Sequence, residues 1–307
     1  MGRRGSLMKR LGALIGMVAA LALAAPAYGI GGDFVDDNEH PFVGLVAFYD
    51  ANGEFLWRCT GSLLTPTVFL TAGHCADTEG GAVTARVWFQ QDAGAHYDPA
   101  TELDPVSGYP EACAAGTLGV VCATSDQLYN FDYPGELRLP STHDVGLVIL
   151  DQPISLPEYG VLATAGSLDR FATQRGVQDL TLTVSGYGLT YRQQEHNGKP
   201  NVSYRERLMA SSRLVNLNSA LNAGFNLQTS GNGRDRGGTC SGDSGGPVFY
   251  GDFTSNTIVA VTSFGLNALC RGTDFAFRTD QQDVIAWIIQ TVEDSATEYD
   301  EIQFVTH

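Results

Sequence analysis

Short apolar runs, broken every few residues by Gly, Pro, Asp or Asn, make up most of the chain. Val43–Tyr49 is the first clear run of strand-forming residues. Asp50-Ala51-Asn52-Gly53 reads as a hairpin turn into Phe55–Leu64, and Thr65-Pro66 as the turn before Val68–Ala72. Val83–Gln90, Val145–Leu150, Leu180–Gly186, Arg207–Leu217, Val248–Tyr250 and Thr257–Phe264 are further strand candidates. Helical spacing is convincing only over Asp280–Thr291. There Val284, Ile285, Ile288 and Ile289 share a face with Trp287, Asp283 sits in the first turn, and Thr279 or Asp280 is placed to cap it. Many short strands and one terminal helix predict an all-β barrel or sandwich.

The pattern also suggests boundaries. Asp151–Leu168 is Pro-rich and reads as the crossover between two halves, residues 28–155 and 156–292. Residues 92–140, rich in Pro, Gly, Tyr and acidic residues, read as a surface insertion in the first half. Tyr187–Tyr204 reads as a polar loop, and Asn201-Val202-Ser203 within it as a sequon left unused. Residues 293–307 read as a loose acidic tail. The N-terminus has the marks of an export leader: Arg3, Arg4, Lys9 and Arg10, then the apolar stretch Leu11–Ala25, then Ala25-Pro26-Ala27 as a small-residue cleavage site. Removing 1–27 leaves 14 basic against 34 acidic residues, a net charge near −20. Such a charge argues against nucleic acid or an anionic membrane as partner and suits a soluble, secreted monomer. All six cysteines, Cys59, Cys75, Cys113, Cys122, Cys240 and Cys270, follow the leader. An even count in an exported chain predicts three disulfides, although spacing leaves their pairing open. There is no Cys-x-x-Cys pair, and neither a metal nor a cofactor is expected.

Three stretches carry chemistry. Ser244 lies in Gly242-Asp243-Ser244-Gly245-Gly246-Pro247, where glycines allow a tight turn and close approach of another chain. A serine hydroxyl needs a neighbouring base to become a nucleophile, and the oxyanion it generates needs preorganised N–H donors. The N–H groups of Gly242 and Ser244 can be aimed at one point by such a turn. His74 ends a short apolar strand in Thr71-Ala72-Gly73-His74-Cys75. Asp144, in His143-Asp144-Val145-Gly146-Leu147, begins a buried strand, where a carboxylate is costly unless it is hydrogen-bonded.

These three motifs, in the order His, Asp, Ser, resemble the trypsin/chymotrypsin-like serine endopeptidases over roughly Ile30 to Ile289. The resemblance implies two six-stranded antiparallel β-barrels with the site between them, and protein or peptide substrates. It implies Ser244 as nucleophile, His74 as general base and acid, Asp144 as its orienting partner, and Gly242 and Ser244 as oxyanion donors. It also implies Ser263 as support for the aspartate, and Ser263, Phe264 and Gly265 as a strand edge for the substrate backbone. By the same resemblance Cys59 pairs with Cys75, Cys240 with Cys270, and Cys113 with Cys122.

The side-chain preference follows from the floor of the implied pocket. Gly238, six residues before Ser244, and Thr239 beside it bring no charge, and Gly265 leaves the entrance open. That predicts cleavage after Phe, Tyr, Leu or Met. The competing reading is an Arg/Lys preference through Asp274 or Asp235. A third is a binding relative without catalysis, which needs a broken triad, whereas all three residues are present. An esterase built on the same serine requires the order Ser, Asp, His and a following helix, neither of which occurs. Departures are the long interval between His74 and Asp144, and Gly29-Ile30-Gly31-Gly32, which no basic residue precedes. In the family a free terminal amine near that position pairs with the counterpart of Asp243. The leader gives the expectation of a bacterial type.

Overall fold

The apolar runs become strands of two barrel-like sheets. The computed structural model describes residues 30–113, 121–172, 180–190, 204–266, 270, 272–295 and 301–307. The leader, most of the 187–204 loop and its sequon lie outside the described residues. In the first sheet the spatial order is Cys122–Ser125, Thr84–Trp88, Val43–Tyr49, Phe55–Leu63, Val68–Thr71, Gly146–Ile149 and Gln127–Asn130, every pairing antiparallel. Its seven strands are six with one broken at Asp126, because Cys122–Ser125 and Gln127–Asn130 are consecutive and form the two ends of the sheet. The second sheet closes on itself. Pro247–Tyr250, Thr181–Gly186, Leu208–Asn216, Asn226–Ser230, Thr273–Arg278 and Thr257–Gly265 run in that order, and the last pairs back onto the first. Val35–Asp36, Val161–Ala163 and Phe304–Val305 are added outside this ring.

Several expectations change. The 92–140 stretch is not an insertion throughout, because Cys122–Asn130 supplies strands of the first sheet and Leu128 is buried. Tyr109, earlier in that stretch, is wholly buried and packs on Trp88 and Phe55. The helix runs over Gln282–Asp294 with Gln281 at its N-cap and no side-chain cap. Asp280 is instead occupied by Arg278, whose Nε and Nη2 donate to its two oxygens at 2.8 Å each. The helix therefore owes its place to burial of Val284, Ile285, Ile288 and Val292. Beyond it the tail is not loose to its end: Phe304–Val305 pairs in parallel with Val161–Ala163, and Ile302 is buried.

A polar clamp ties the N-terminal segment to the second barrel. Asp37 is fully buried and accepts the His40 Nδ1 proton at 2.9 Å, the His40 backbone N–H and the Ser185 hydroxyl. His40 stacks on Phe249 and reaches Ser255 O through Nε2 at 3.1 Å. Burial pushes the Asp37 carboxyl up, but the hydrogen bonds and charges of His40, Ser185 and Arg207 outweigh it and hold the pKa below the ordinary value. A depressed carboxylate stabilises the fold above its unfolded pKa, and that contribution is lost as pH falls through the folded value.

Asp37→Ala leaves His40 and Ser185 buried without their partner, and unfolding in urea at pH 7 should show a loss of about 3 kcal/mol. A loss below about 1 kcal/mol would mean that the clamp is dispensable.

Candidate active site

Asp144 is the buried centre of the site. The preceding His143 adopts φ 49°, a left-handed turn that redirects the chain, and its ring stacks on Phe131. Asp144 is 1% exposed, so its carboxylate must find protein donors. It accepts the His74 backbone N–H at 2.8 Å, His74 Nδ1 at 2.9 Å and the Ser263 hydroxyl at 2.5 Å. Burial raises the Asp144 carboxyl, yet the charge and hydrogen bonds of His74 and the Ser263 bond hold it below the ordinary range. His74 shows the reciprocal shift. Burial pulls the imidazolium down, while the Asp144 charge and hydrogen bond pull it up and prevail. With Nδ1 engaged, Nε2 is the ring atom left to exchange protons. The His74 side chain keeps 29% of its surface exposed.

Ser244 is brought to this pair by the seam between the barrels. Thr60, on Phe55–Leu63, donates its N–H to Ser244 O and its hydroxyl to Gly242 O, both at 2.8 Å. Gly245 N–H donates to Thr262 O at 2.7 Å. Gly245 has φ +79° and sits where a side chain would strike Thr71 Oγ1 and Thr60 O, so a glycine is required there. No hydrogen bond joins Ser244 Oγ to His74 Nε2, a contact that often tightens only when substrate is bound. The N–H groups of Gly242 and Ser244 meet no protein acceptor among the described residues, and Gly242 has φ +96°.

Asp243, beneath this turn, is fully buried and accepts Gly188 N–H at 2.8 Å and Cys240 N–H at 2.9 Å. Burial, together with the nearby Asp274 charge, pushes its pKa to about 7 against those two donors. The N-terminal segment runs along the pocket strand: Gly31 and Gly32 pair with Gly238 and Gly237, and Ile30 is buried. All three disulfides join the cysteines that the resemblance implies, Cys59–Cys75, Cys113–Cys122 and Cys240–Cys270. Cys59, Cys75 and His74 gather within 4.8 Å, but both sulfurs are spent in the disulfide, so the group is no ligand set.

A cavity of about 400 Å³ opens beside Ser244, lined by Thr239, Ser263, Phe264, Gly265 and Asp274 among others. Its lining includes the carboxyl of Asp274, beside Gly238. Asp274 Oδ2 lies 2.5 Å from where a Gly238 side chain would begin, and it accepts Thr239 N–H at 2.8 Å. Burial pushes the Asp274 carboxyl to about 7. Asp235 does not fold inward: its side chain is 86% exposed beside Arg234. Phe264 stacks flat on Phe275, with ring centres 4.5 Å apart.

Sequence reasoning missed Asn226, Tyr204 and Arg58. Asn226, fully buried in the second barrel, donates to Pro140 O at 2.7 Å and so holds the loop that carries Asp144. Tyr204 lies against Gly242, within 3.4 Å of where a side chain there would start. Arg58 lies over the Tyr204 ring, 3.5 Å from its centre. None of the three sits in a recognisable motif, and each is meaningful only across the seam.

Comparison with known proteins identifies a family and several relatives. A family model described as Trypsin matches residues 29–288. CLIP domain-containing serine protease B10 of Anopheles gambiae is 25% identical over 283 residues, 86% of this chain and 69% of that protein. Serine protease 7 of Drosophila melanogaster is 27% identical over 83% of this chain and 62% of that protein. The chain thus spans about two thirds of the length of these two insect relatives. The solved structure titled HL collagenase superposes with a TM-score of 0.57 at 16% identity, covering 88% of this chain and 98% of that one, and shows the shared fold. The relatives are animal proteins, others being from snakes, and the bacterial type expected from the leader finds no support among them.

The His74 imidazole should titrate above the ordinary 6.5 in NMR spectra of its ring protons, and Asp144→Asn should lower that midpoint. An unchanged midpoint in Asp144→Asn would show that the carboxylate does not govern the ring.

Proposed function

The chain belongs to the trypsin family, and from that membership we propose that it is a secreted serine endopeptidase working through His74, Asp144 and Ser244. The observation that carries the reading is the hydrogen-bonded chain Ser263–Asp144–His74, next to a serine turn with two N–H groups that no described residue claims. In the proposed reaction His74 Nε2 takes the Ser244 proton as Oγ attacks the scissile carbonyl. Gly242 N–H and Ser244 N–H stabilise the oxyanion. The tetrahedral species collapses as His74 protonates the departing amine. Water, deprotonated by the same imidazole, then cleaves the acyl-enzyme and restores Ser244. Asp144 stays ionised throughout, favours the tautomer with a proton on Nδ1, and stabilises the imidazolium. The Ser263–Gly265 edge supports an extended substrate by β-addition.

The side-chain pocket favours a basic residue before the scissile bond, in place of the apolar preference that Gly238 alone suggests. Asp274 accepts the Thr239 backbone N–H there but meets no described cation. A substrate guanidinium or ammonium supplies the missing partner, whereas an apolar group leaves a buried charge unpaired. Below about pH 7 the Asp274 carboxyl is neutral and that disadvantage disappears.

Ser244→Ala should abolish peptide hydrolysis while leaving the fold intact, with only about 10³–10⁴-fold acceleration over water remaining. Retention of a tenth of the activity would refute the assignment. Activity on any substrate should fall with decreasing pH through the raised His74 value, since the base must be neutral. The ratio of kcat/KM for Arg over Leu peptide anilides cancels that common dependence. It should exceed about tenfold at pH 8, shrink toward pH 5.5, and be flat with pH in Asp274→Asn. A ratio at or below one at pH 8 would restore the apolar preference.

A further inference from the structure

Arg58 is a cation without a carboxylate partner among the described residues, in an acidic chain of net charge −16. Three aromatic rings hold it instead. Its guanidinium carbon lies 3.5 Å from the centre of Tyr204, 5.8 Å from Phe55 and 6.0 Å from Tyr109. Contacts with ring faces favour a cation without neutralising it. The cage is itself held in place: the wholly buried Tyr109 donates its hydroxyl proton to Tyr204 O at 2.9 Å. The stretch around Tyr109 thereby fixes a charge beside the active site.

The position of that charge follows from the strand. Thr60, two residues after Arg58, bonds Gly242 O and Ser244 O. Residues two apart on a strand share a face and stand about 7 Å apart. Tyr204 also packs on Gly242, so Arg58, Tyr204 and Gly242 form one continuous wall. None of the three lines the side-chain cavity, whose walls include Ser263, Phe264, Gly265 and Asp274 on the other side of Ser244. A substrate whose acyl half occupies that cavity and the Ser263–Gly265 edge must send its leaving half the opposite way, across Cys59–Cys75 and past Arg58. Three extended residues span about 10 Å, enough to pass the guanidinium.

We propose that Arg58, framed by Tyr204, Phe55 and Tyr109, is a specificity-determining residue on the leaving-group side and selects an acidic side chain within the first three residues after the scissile bond. This rests on the endopeptidase reading above. It adds a second recognition element of opposite sign to the Asp274 cavity, so the favoured sequence is basic before the cut and acidic shortly after it.

The test uses internally quenched peptides with Arg before the cut and either Asp or Lys at the first, second or third position after it. Wild type, Arg58→Gln, Arg58→Lys and Arg58→Glu are compared by the Asp-over-Lys ratio of kcat/KM. Each ratio is internal to one preparation, so a variant that folds in lower yield still reports. Wild type should favour Asp by about tenfold at one of the three positions, equivalent to ~1.4 kcal/mol. Arg58→Lys should keep part of the preference, Arg58→Gln should bring the ratio near one, and Arg58→Glu should invert it. A wild-type ratio under twofold at all three positions, or an undiminished ratio in Arg58→Glu, overturns the proposal. Failure of wild type to cut any of the peptides would instead count against the endopeptidase reading.

Discussion

A carboxylate removed from water must be satisfied by protein donors, and the site is arranged around how Asp144 meets that demand. Its donors come from two separated segments: the backbone and ring of His74 and the hydroxyl of Ser263. His74 follows a strand of the first barrel and Ser263 lies in the second, so Asp144 can be satisfied only when the two barrels are docked. The Thr60 bonds to Gly242 and Ser244 act across the same seam and set the Ser244 turn against the first barrel. The geometry of the candidate site and barrel docking are therefore one constraint. Gly245 and Gly246 allow the seam to close, because each lies where a side chain would meet Thr60.

Two further buried aspartates are treated differently. Asp243 receives two backbone N–H bonds and Asp274 one, neither meets a described cation, and burial pushes both to about 7. Asp144, beside an imidazole that can carry charge, is pushed the other way. The contrast separates a carboxylate already in use from two awaiting a positive partner. For Asp274 the partner would be the substrate side chain. For Asp243 the family resemblance assigns the amine of a processed N-terminus, and Ile30 to Gly32 already run beside the pocket strand Gly237–Gly238.

The candidate residues His74, Asp144 and Ser244 were legible because each sits in a local motif at a strand end or tight turn. Most strands were legible from apolar runs, as in Val43–Tyr49 and Thr257–Gly265. Asn226–Ser230 and Thr273–Arg278 were not, since buried Asn226, Asp274 and Arg278 break the apolar pattern for reasons that exist only in the closed barrel. The place of Asp274 in the pocket lining was hidden for the same reason. Gly238 and Asp274 are 36 residues apart and become neighbours only through the pairing that closes the second sheet. The Asp280 cap failed because Arg278, two residues away, offers that carboxylate a charged partner. Tyr109 was hidden in a stretch whose composition resembles a surface loop.

The central claim is that this seam makes one serine reactive. Treating the active protein with a fluorophosphonate and mapping the adduct by mass spectrometry addresses it directly. The account expects a single adduct on the peptide containing Ser244, absent after His74→Ala. An adduct on another residue with Ser244 unmodified, or the same labelling in His74→Ala, would contradict it.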